Sequence, residues 1–454
     1  MIRSYSLFLL VLVFIGCTPI ENRTVFLGGQ IINPSSSYAN LYYGNRKVDT
    51  FHLKNSQRFF RQYDSLPPGV YKLEHIPEFT SLLIEPGDSL WLRFNTSDFQ
   101  ESLFFSGRGA SKNNFLSDIR LTIEEENNFI SSQYAQSADI FKSKIDSLVQ
   151  HKKERWRFMD SMNGLTPLAQ KLTQAAYVYA YAGIRERYAL LRGSQWDSLQ
   201  KQRFFGYRKY LNYGENDLAF FEPYISYLMN FLNREALQKG ENYLAARQRT
   251  DYNLRRLQII QNSVKGQLVR NNLARAVAYE ELLNFGNHLN HDKFLEYYFD
   301  INTSSSYLEE ITTLHEDINQ MEKGKILPEI LLQNTALELV SSNSFFSQPT
   351  VLYFWSQTQM NHFKSTLEKV RVLEKKHPQY RFVGISIQPL NPIALEVYKM
   401  MEMDLKDQYG LVDFGMGSKK WVITLLNKTI VIDSQGFIRN GFANMMEADF
   451  ESEL

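Results

Sequence analysis

Hydrophobic and polar positions change rhythm along this chain. Leu7 to Ile15 is an unbroken apolar run behind Arg3. It is shorter than the roughly 20 residues that span a bilayer and has the length of a signal-peptide core. From 22 to 108 the apolar residues fall in short runs, such as Val25-Phe26-Leu27, Ala39-Asn40-Leu41-Tyr42-Tyr43, Tyr71-Lys72-Leu73 and Ser81-Leu82-Leu83-Ile84. Turn signals at Pro67-Pro68-Gly69, Glu85-Pro86-Gly87-Asp88 and Ser106-Gly107 separate them. That spacing predicts several short strands packed as a small β-sandwich. From 111 to 322 apolar positions recur every third and fourth residue, as at Leu168, Leu172, Ala175, Ala176, Tyr179 and Gly183. This predicts about six to eight helices in an irregular bundle. From 325 to 454 apolar strands alternate with amphipathic helices, the pattern of βαβ units in an α/β domain. The fold class expected is therefore multidomain α+β: a β-sandwich-like domain at 22–108, a helical domain at 111–322 and an α/β domain at 325–454.

Composition narrows the function classes. The 454 residues are 44% apolar and 22% charged, which excludes global disorder, and 14% aromatic, which supplies large cores. The net charge of +1 gives no polyelectrolyte bias, so no nucleic-acid partner is expected. The one cysteine, Cys17, excludes an intrachain disulfide, a cysteine-ligated zinc site and an iron–sulfur centre. No phosphate loop, nucleotide fingerprint or nucleophile elbow is present, and neither a cofactor nor a metal is expected.

Phe14-Ile15-Gly16-Cys17 closes the first apolar run and resembles a bacterial lipobox, in which small residues precede a cysteine that is lipidated and becomes the first mature residue. Phe14 stands where leucine is usual; a plain secretory signal with an incidental cysteine is the other reading. The resemblance implies a signal peptide at 1–16, a lipidated tether at 17–21 and acyl chains (palmitate among them) on Cys17 that hold the protein on a membrane. Thr18, rather than Asp, follows the cysteine. By resemblance to the lipoprotein sorting rule this implies the outer membrane, facing the periplasm.

Residues 185–275 hold 16 Lys or Arg against 8 Asp or Glu, with Arg255 and Arg256 among them. A solvated basic face is the expectation; an anionic glycan or lipid site is the alternative. His288 and His291 are spaced to share a helix face, but no Glu lies between them, so a surface pair is expected rather than zinc. Asp-Ser followed by Leu or Met begins at Asp64, Asp88, Asp146, Asp160 and Asp197 and resembles a short O-glycosylation motif, although Asp-Ser also serves turns and helix caps.

Pro67-Pro68-Gly69-Val70-Tyr71, Ile84-Glu85-Pro86-Gly87-Asp88-Ser89-Leu90 and Ser106-Gly107-Arg108-Gly109-Ala110, in that order, resemble a β-domain of unknown function that precedes thioredoxin-like domains in bacterial lipoproteins. Toward the C-terminus, Gly324-Lys325-Ile326-Leu327-Pro328, Pro349–Ser356, Tyr380–Ile387 and Thr429–Ile438 resemble the opening segment, first central strand, second strand and final hairpin of a thioredoxin-like domain of the TlpA (AhpC/TSA) type. The resemblance implies a helix over Phe363–Lys376 and places the two redox cysteines of that family on Gln359 and His362 and its cis-proline on Asn427. A cis bond before a non-proline costs about 2.5–4 kcal/mol, so a trans bond is expected there. Neither an amide nor an imidazole can exchange with a disulfide. His362 at a helix start could serve as an acid, base or ligand, but a bystander is the expectation. The function expected is a redox-inactive binding or scaffolding lipoprotein with an unidentified periplasmic protein partner. The alternatives are an enzyme of the thiol–disulfide oxidoreductase family with altered, non-cysteine chemistry, and an anion- or glycan-binding module.

Overall fold

The structure, a computed structural model, describes residues 23–54, 56–76, 78–193, 196–284, 291–357, 359–400 and 405–454. Cys17, the apolar run before it and His288 lie outside the described residues. The fold is mixed α and β with three sheets, and the chain divides into two compact units. The first runs to Tyr243 and includes Ser263–Val269; the second holds Leu244–Asn262 and Arg270–Leu454.

In the first unit, β1 (Val25–Ile32), β4 (Arg58–Tyr63), β7 (Ser89–Asn95) and β8 (Phe104–Arg108) form one sheet in the order β4-β1-β7-β8, with β1 and β7 parallel. A second sheet has the order β3-β2-β5-β6, from β2 (Tyr38–Tyr43), β3 (Arg46–His52), β5 (Gly69–His75) and β6 (Glu78–Ile84). Alternation makes these strands: in Ser-Leu-Trp-Leu-Arg-Phe-Asn of β7 the two leucines and the phenylalanine are buried and the residues between them are not. Leu27, Leu41, Phe51, Phe59, Leu73, Leu82, Leu92 and Phe105, drawn from both sheets, share one core.

The short α1 (Phe99–Ser102) precedes β8, and helices follow it: α2 (Ala110–Glu125), α3 (Asn127–Gln133), α4 (Ala138–Asn163), α5 (Pro167–Arg192), α6 (Ser198–Phe204) and α7 (Glu222–Glu235). The start of α5 is set locally by Pro167 at its first position and by Thr166, whose Oγ1 accepts from Ala169 N at 3.1 Å. Its apolar face holds Leu172, Ala176, Tyr181 and Tyr188, and it packs on α2, α4 and α7. Asp197 caps α6, with Gln200 closing the reciprocal bond, so that Asp-Ser pair is a helix cap.

Helices continue with the single turn α8 (Tyr243–Ala246), α9 (Thr250–Ser263) and α10 (Gln267–Leu282), most of whose residues belong to the second unit, and with α11 (Asp292–Ile301) and α12 (Ser305–Gln320), which lie wholly in it. A seven-stranded sheet follows. Its strands are β9 (Leu331–Asn334), β10 (Leu339–Ser341), β11 (Thr350–Trp355), β12 (Arg381–Ser386), β13 (Gln408–Leu411), β14 (Lys428–Ile432) and β15 (Ile438–Asn444). The order is β10-β9-β13-β12-β11-β14-β15. β11, β12 and β13 are parallel, joined through α13 (Met360–Lys376) and α14 (Pro392–Met400); α15 (Phe414–Lys420) leads to the antiparallel β14–β15 hairpin. All six residues of β11 are buried, as befits a central strand covered on both faces. The expected strand at Thr350–Trp355 is in place; the expected helix begins earlier, at Met360, and the second strand runs Arg381–Ser386.

Candidate functional site

The end of β11 and the start of α13 bring the expected site residues together only in part. Trp355 is fully buried and stacks on Phe363, ring centroids 3.9 Å apart and planes 8° from parallel. That stack ties the strand end to the first turn of α13. The chain between them is held by amides: Gln357 N donates to Gln388 Oε1 at 3.0 Å, Gln357 Nε2 to Pro389 O at 2.7 Å, and Gln388 Nε2 to Ser356 Oγ at 2.8 Å.

Gln359 is the exposed N-cap residue of α13; its side chain does not cap the helix, while its carbonyl accepts from Phe363 N at 3.1 Å. His362, in the first turn, reaches Asn427 across the gap: Nε2–H donates to Oδ1 at 2.8 Å. The carbonyl of the amide is the acceptor, so Nε2 carries the ring proton in this bond. Nδ1 is buried and has no hydrogen-bond partner. Such an atom loses its hydration without replacement, at about 1–3 kcal/mol. Among the described residues no hydroxyl, thiol or carboxylate is hydrogen-bonded to His362, so the pairing that activates a nucleophile is not built here.

The residue after Asn427 was not singled out from the sequence. Lys428 is 7% exposed; its Nζ donates to Trp421 O at 2.6 Å and Val422 O at 3.0 Å and sits 4.2 Å above the Phe442 ring. Burial pushes its ammonium well below the usual lysine range. A lysine in a β14 otherwise rich in β-branched residues was the available signal, but nothing local distinguishes a buried ammonium from a surface one.

Two expectations are corrected. His291 is not a surface residue: its side chain is 14% exposed and its Nδ1 lies 3.0 Å from Oε1 of the fully buried Glu281. Thr250 and Asn253 also donate to Glu281, at 2.6 and 2.7 Å. Burial alone would raise the Glu281 carboxyl, but those three partners outweigh it and hold it below the usual range. His315 lies 6.4 Å from His291, ring to ring, and burial and then His291 lower its pKa. Both histidines line a cleft of about 1010 Å³ with Lys323, Lys325 and Arg439. The basic stretch is not simply solvated either. Arg256 is 1% exposed and bonds Glu280 at 2.5 Å, and Arg208 grips the buried Glu186 through Nε at 2.7 Å and Nη2 at 2.5 Å. Asp88, in one of the Asp-Ser pairs, is buried against Lys112. Among the described residues no cluster of three or more His, Cys, Asp or Glu is placed to hold a metal ion, and no helix is long and apolar enough to cross a membrane.

No protein-family model matches the sequence, and no curated protein matches it. Solved structures do. The thioredoxin domain of a thiol-disulfide oxidoreductase from Bacteroides vulgatus is similar at 18% identity over 28% of this chain and 91% of its own, TM-score 0.24. A thiol-disulfide oxidoreductase from Bacteroides fragilis is similar at 23% identity over 28% of this chain and 95% of its own, TM-score 0.23. An exposed lipoprotein thioredoxin from Streptococcus pneumoniae is similar at 16% identity over 28% of this chain and 98% of its own, TM-score 0.22.

Proposed function

We propose that residues 325–454 are a thioredoxin-like domain without thiol chemistry, carried on a β-sandwich-like domain (22–108) and a helical region (111–322). The protein is lipidated at Cys17, held at the outer membrane facing the periplasm, and works by binding a periplasmic protein partner. The topology supports the assignment: a parallel β11–α13–β12 unit is followed by the antiparallel β14–β15 hairpin beside β11. The observation that carries the loss of redox chemistry is the start of α13. Gln359 and His362 stand at the positions of the paired cysteines, and Asn427, at the cis-proline position, closes on His362 at 2.8 Å. Disulfide exchange needs an attacking thiolate and a resolving thiol, and residues 18–454 contain no cysteine.

An insulin-reduction assay tests this. The purified protein should not accelerate reduction over dithiothreitol alone, and His362→Ala should leave both that result and the fold unchanged. Acceleration that disappears in His362→Ala would overturn the reading. It would support the second one, an oxidoreductase-family enzyme with non-cysteine chemistry, which the unpartnered His362 Nδ1 favours. An anion- or glycan-binding role for the basic helical stretch draws less support, because Arg208 and Arg256 are already bound to Glu186 and Glu280.

A further inference from the structure

The outward face of the β4-β1-β7-β8 sheet is aromatic and basic at once. Strand register places its residues. Gly28 lies opposite both Phe60 and Trp91, Gln30 opposite Arg58 and Arg93, and Phe104 opposite Arg93. Phe60 is 57% exposed, Phe104 62% and Trp91 37%, a large exposed apolar area for one face of a sheet. The rings are held in place. Phe26 stacks on Phe60 at 6.1 Å, and the Trp91 ring lies against Gly28, where a Cβ would come within 2.7 Å of the indole. The glycine therefore makes the trough in which the indole rests.

The charge on this face is one-sided. Arg58, Arg93 and Arg108 project from it, all exposed. None of the three side chains has a hydrogen-bond or ion-pair partner among the described residues, and no outward position on the four strands is Asp or Glu. The arginines of the helical stretch behave differently, since Arg208 and Arg256 are spent on buried carboxylates. Exposed indole and phenyl rings among unpaired guanidiniums suit the boundary between acyl chains and phosphate headgroups, where aromatic rings sit at headgroup level and arginine meets phosphate.

Chain length brings this face within reach of a bilayer. Strand β1 begins at Val25, eight residues after Cys17 (25 − 17 = 8). Eight residues span at most about 28 Å when fully extended. We propose that this face docks on an anionic phospholipid surface, so that the acylated Cys17 and the β4-β1-β7-β8 sheet hold the membrane together. The proposal rests on the lipoprotein reading above for the tether only; the face itself is tested without it.

The test uses chain 17–454, which carries every described residue, made with Cys17→Ser so that no acyl chain contributes. It is sedimented with vesicles of phosphatidylglycerol and phosphatidylethanolamine, and with vesicles of phosphatidylcholine alone. Binding should be at least tenfold tighter to the anionic vesicles and should weaken with salt. Arg58→Gln with Arg93→Gln should remove the preference for anionic lipid. Phe60→Gln with Phe104→Gln should weaken binding about tenfold, with the thermal midpoint unchanged because both rings are already exposed. Equal binding to both vesicles, no binding, or binding unchanged in both double variants would overturn the proposal. So would release of the protein from vesicles by a soluble anionic polysaccharide that binds the same face more tightly. Palmitate labelling of the natural chain and of Cys17→Ala examines the anchor separately, so either reading can fail without the other.

Discussion

Lys428 shows how far one side chain's surroundings can depart from its sequence neighbourhood. Its ammonium is held below its ordinary value by burial, against 10.5 in the unfolded chain. Between the folded and unfolded values the unfolded chain binds more protons, so stability rises with pH across that window and falls as pH drops toward the folded value. Lys428→Met removes this dependence. Thermal midpoints at about pH 7 and pH 9.5 should show wild type gaining on the variant as pH rises; a constant difference would contradict the assignment. The pair Arg255 and Arg256 makes a second contrast. Arg255 meets the exposed Asp251 at 2.7 Å, and such surface pairs contribute about 0–1 kcal/mol, so Arg255→Glu should be mild. Arg256 meets Glu280 with its own side chain 1% exposed. Leaving one member of so buried a pair costs up to about 3–5 kcal/mol, discounted here because Glu280 is 46% exposed. Arg256→Ala should therefore lower the denaturant midpoint clearly where Arg255→Ala does not. Adjacent arginines in one charge run gave no sequence signal of that difference, because burial depends on helix phase and on the neighbouring helix.

At the scale of elements, the first turn of α2 explains two motif fragments that look unrelated along the chain. Lys112 donates to Glu85 at 2.6 Å and to Asp88 at 2.7 Å with its side chain 5% exposed. Asn113 pairs with the edge of β6, its Oδ1 accepting from Leu83 N at 2.7 Å and its Nδ2 donating to Leu83 O at 2.9 Å. Asn114 does the same at the edge of β8 with Phe105 N and O, at 2.9 and 2.8 Å. Asn113 and Asn114 thus satisfy backbone groups that edge strands leave open, and with Lys112 on the two carboxylates they fasten α2 to both sheets. Thr166, the cap of α5, also donates to Glu85. Gly109 is required because its φ of +92° is left-handed and a Cβ would meet the Asp88 carboxylate. Asn113→Ala should cost about 1–3 kcal/mol by orphaning two backbone groups, and Lys112→Met about 3–5 kcal/mol by leaving two buried carboxylates without their cation. Urea midpoints of the two variants check the order. The turn and glycine signals of Glu85–Asp88 and Ser106–Ala110 were legible in the sequence; that Lys112 joins them was not, since 27 residues separate it from Glu85.

For the whole molecule, the start of α13 offers a gain-of-function experiment. Gln359→Cys with His362→Cys restores an i, i+3 thiol pair at a helix N-terminus, where the helix lowers a thiol's pKa. If the framework is thioredoxin-like, the double variant should form a reducible disulfide and show insulin reductase activity above the zero expected of the natural chain. Failure to form the disulfide, measured by thiol titration, would argue against the assignment of these two positions. Cys17→Ala should abolish palmitate incorporation; unchanged labelling would remove the anchor.

What the amino-acid order determined by itself is local or subtractive. Period-two and period-3.6 apolar spacing placed β5 and α5, because each element's buried face is written in its own residues, while β11 was legible as a resemblance in its run of apolar residues. The absence of any cysteine after Cys17 likewise needs no structure to be read. Tertiary structure decided what depends on partners distant in the chain: that His362 meets Asn427, 65 residues away, that His291 is drawn onto Glu281, and that Arg256 and Lys428 lie inside while Arg58 and Arg93 face outward. Charge and hydrogen-bonding capacity belong to the residue, but solvation belongs to the place, and the place is made by elements that meet only when the chain folds.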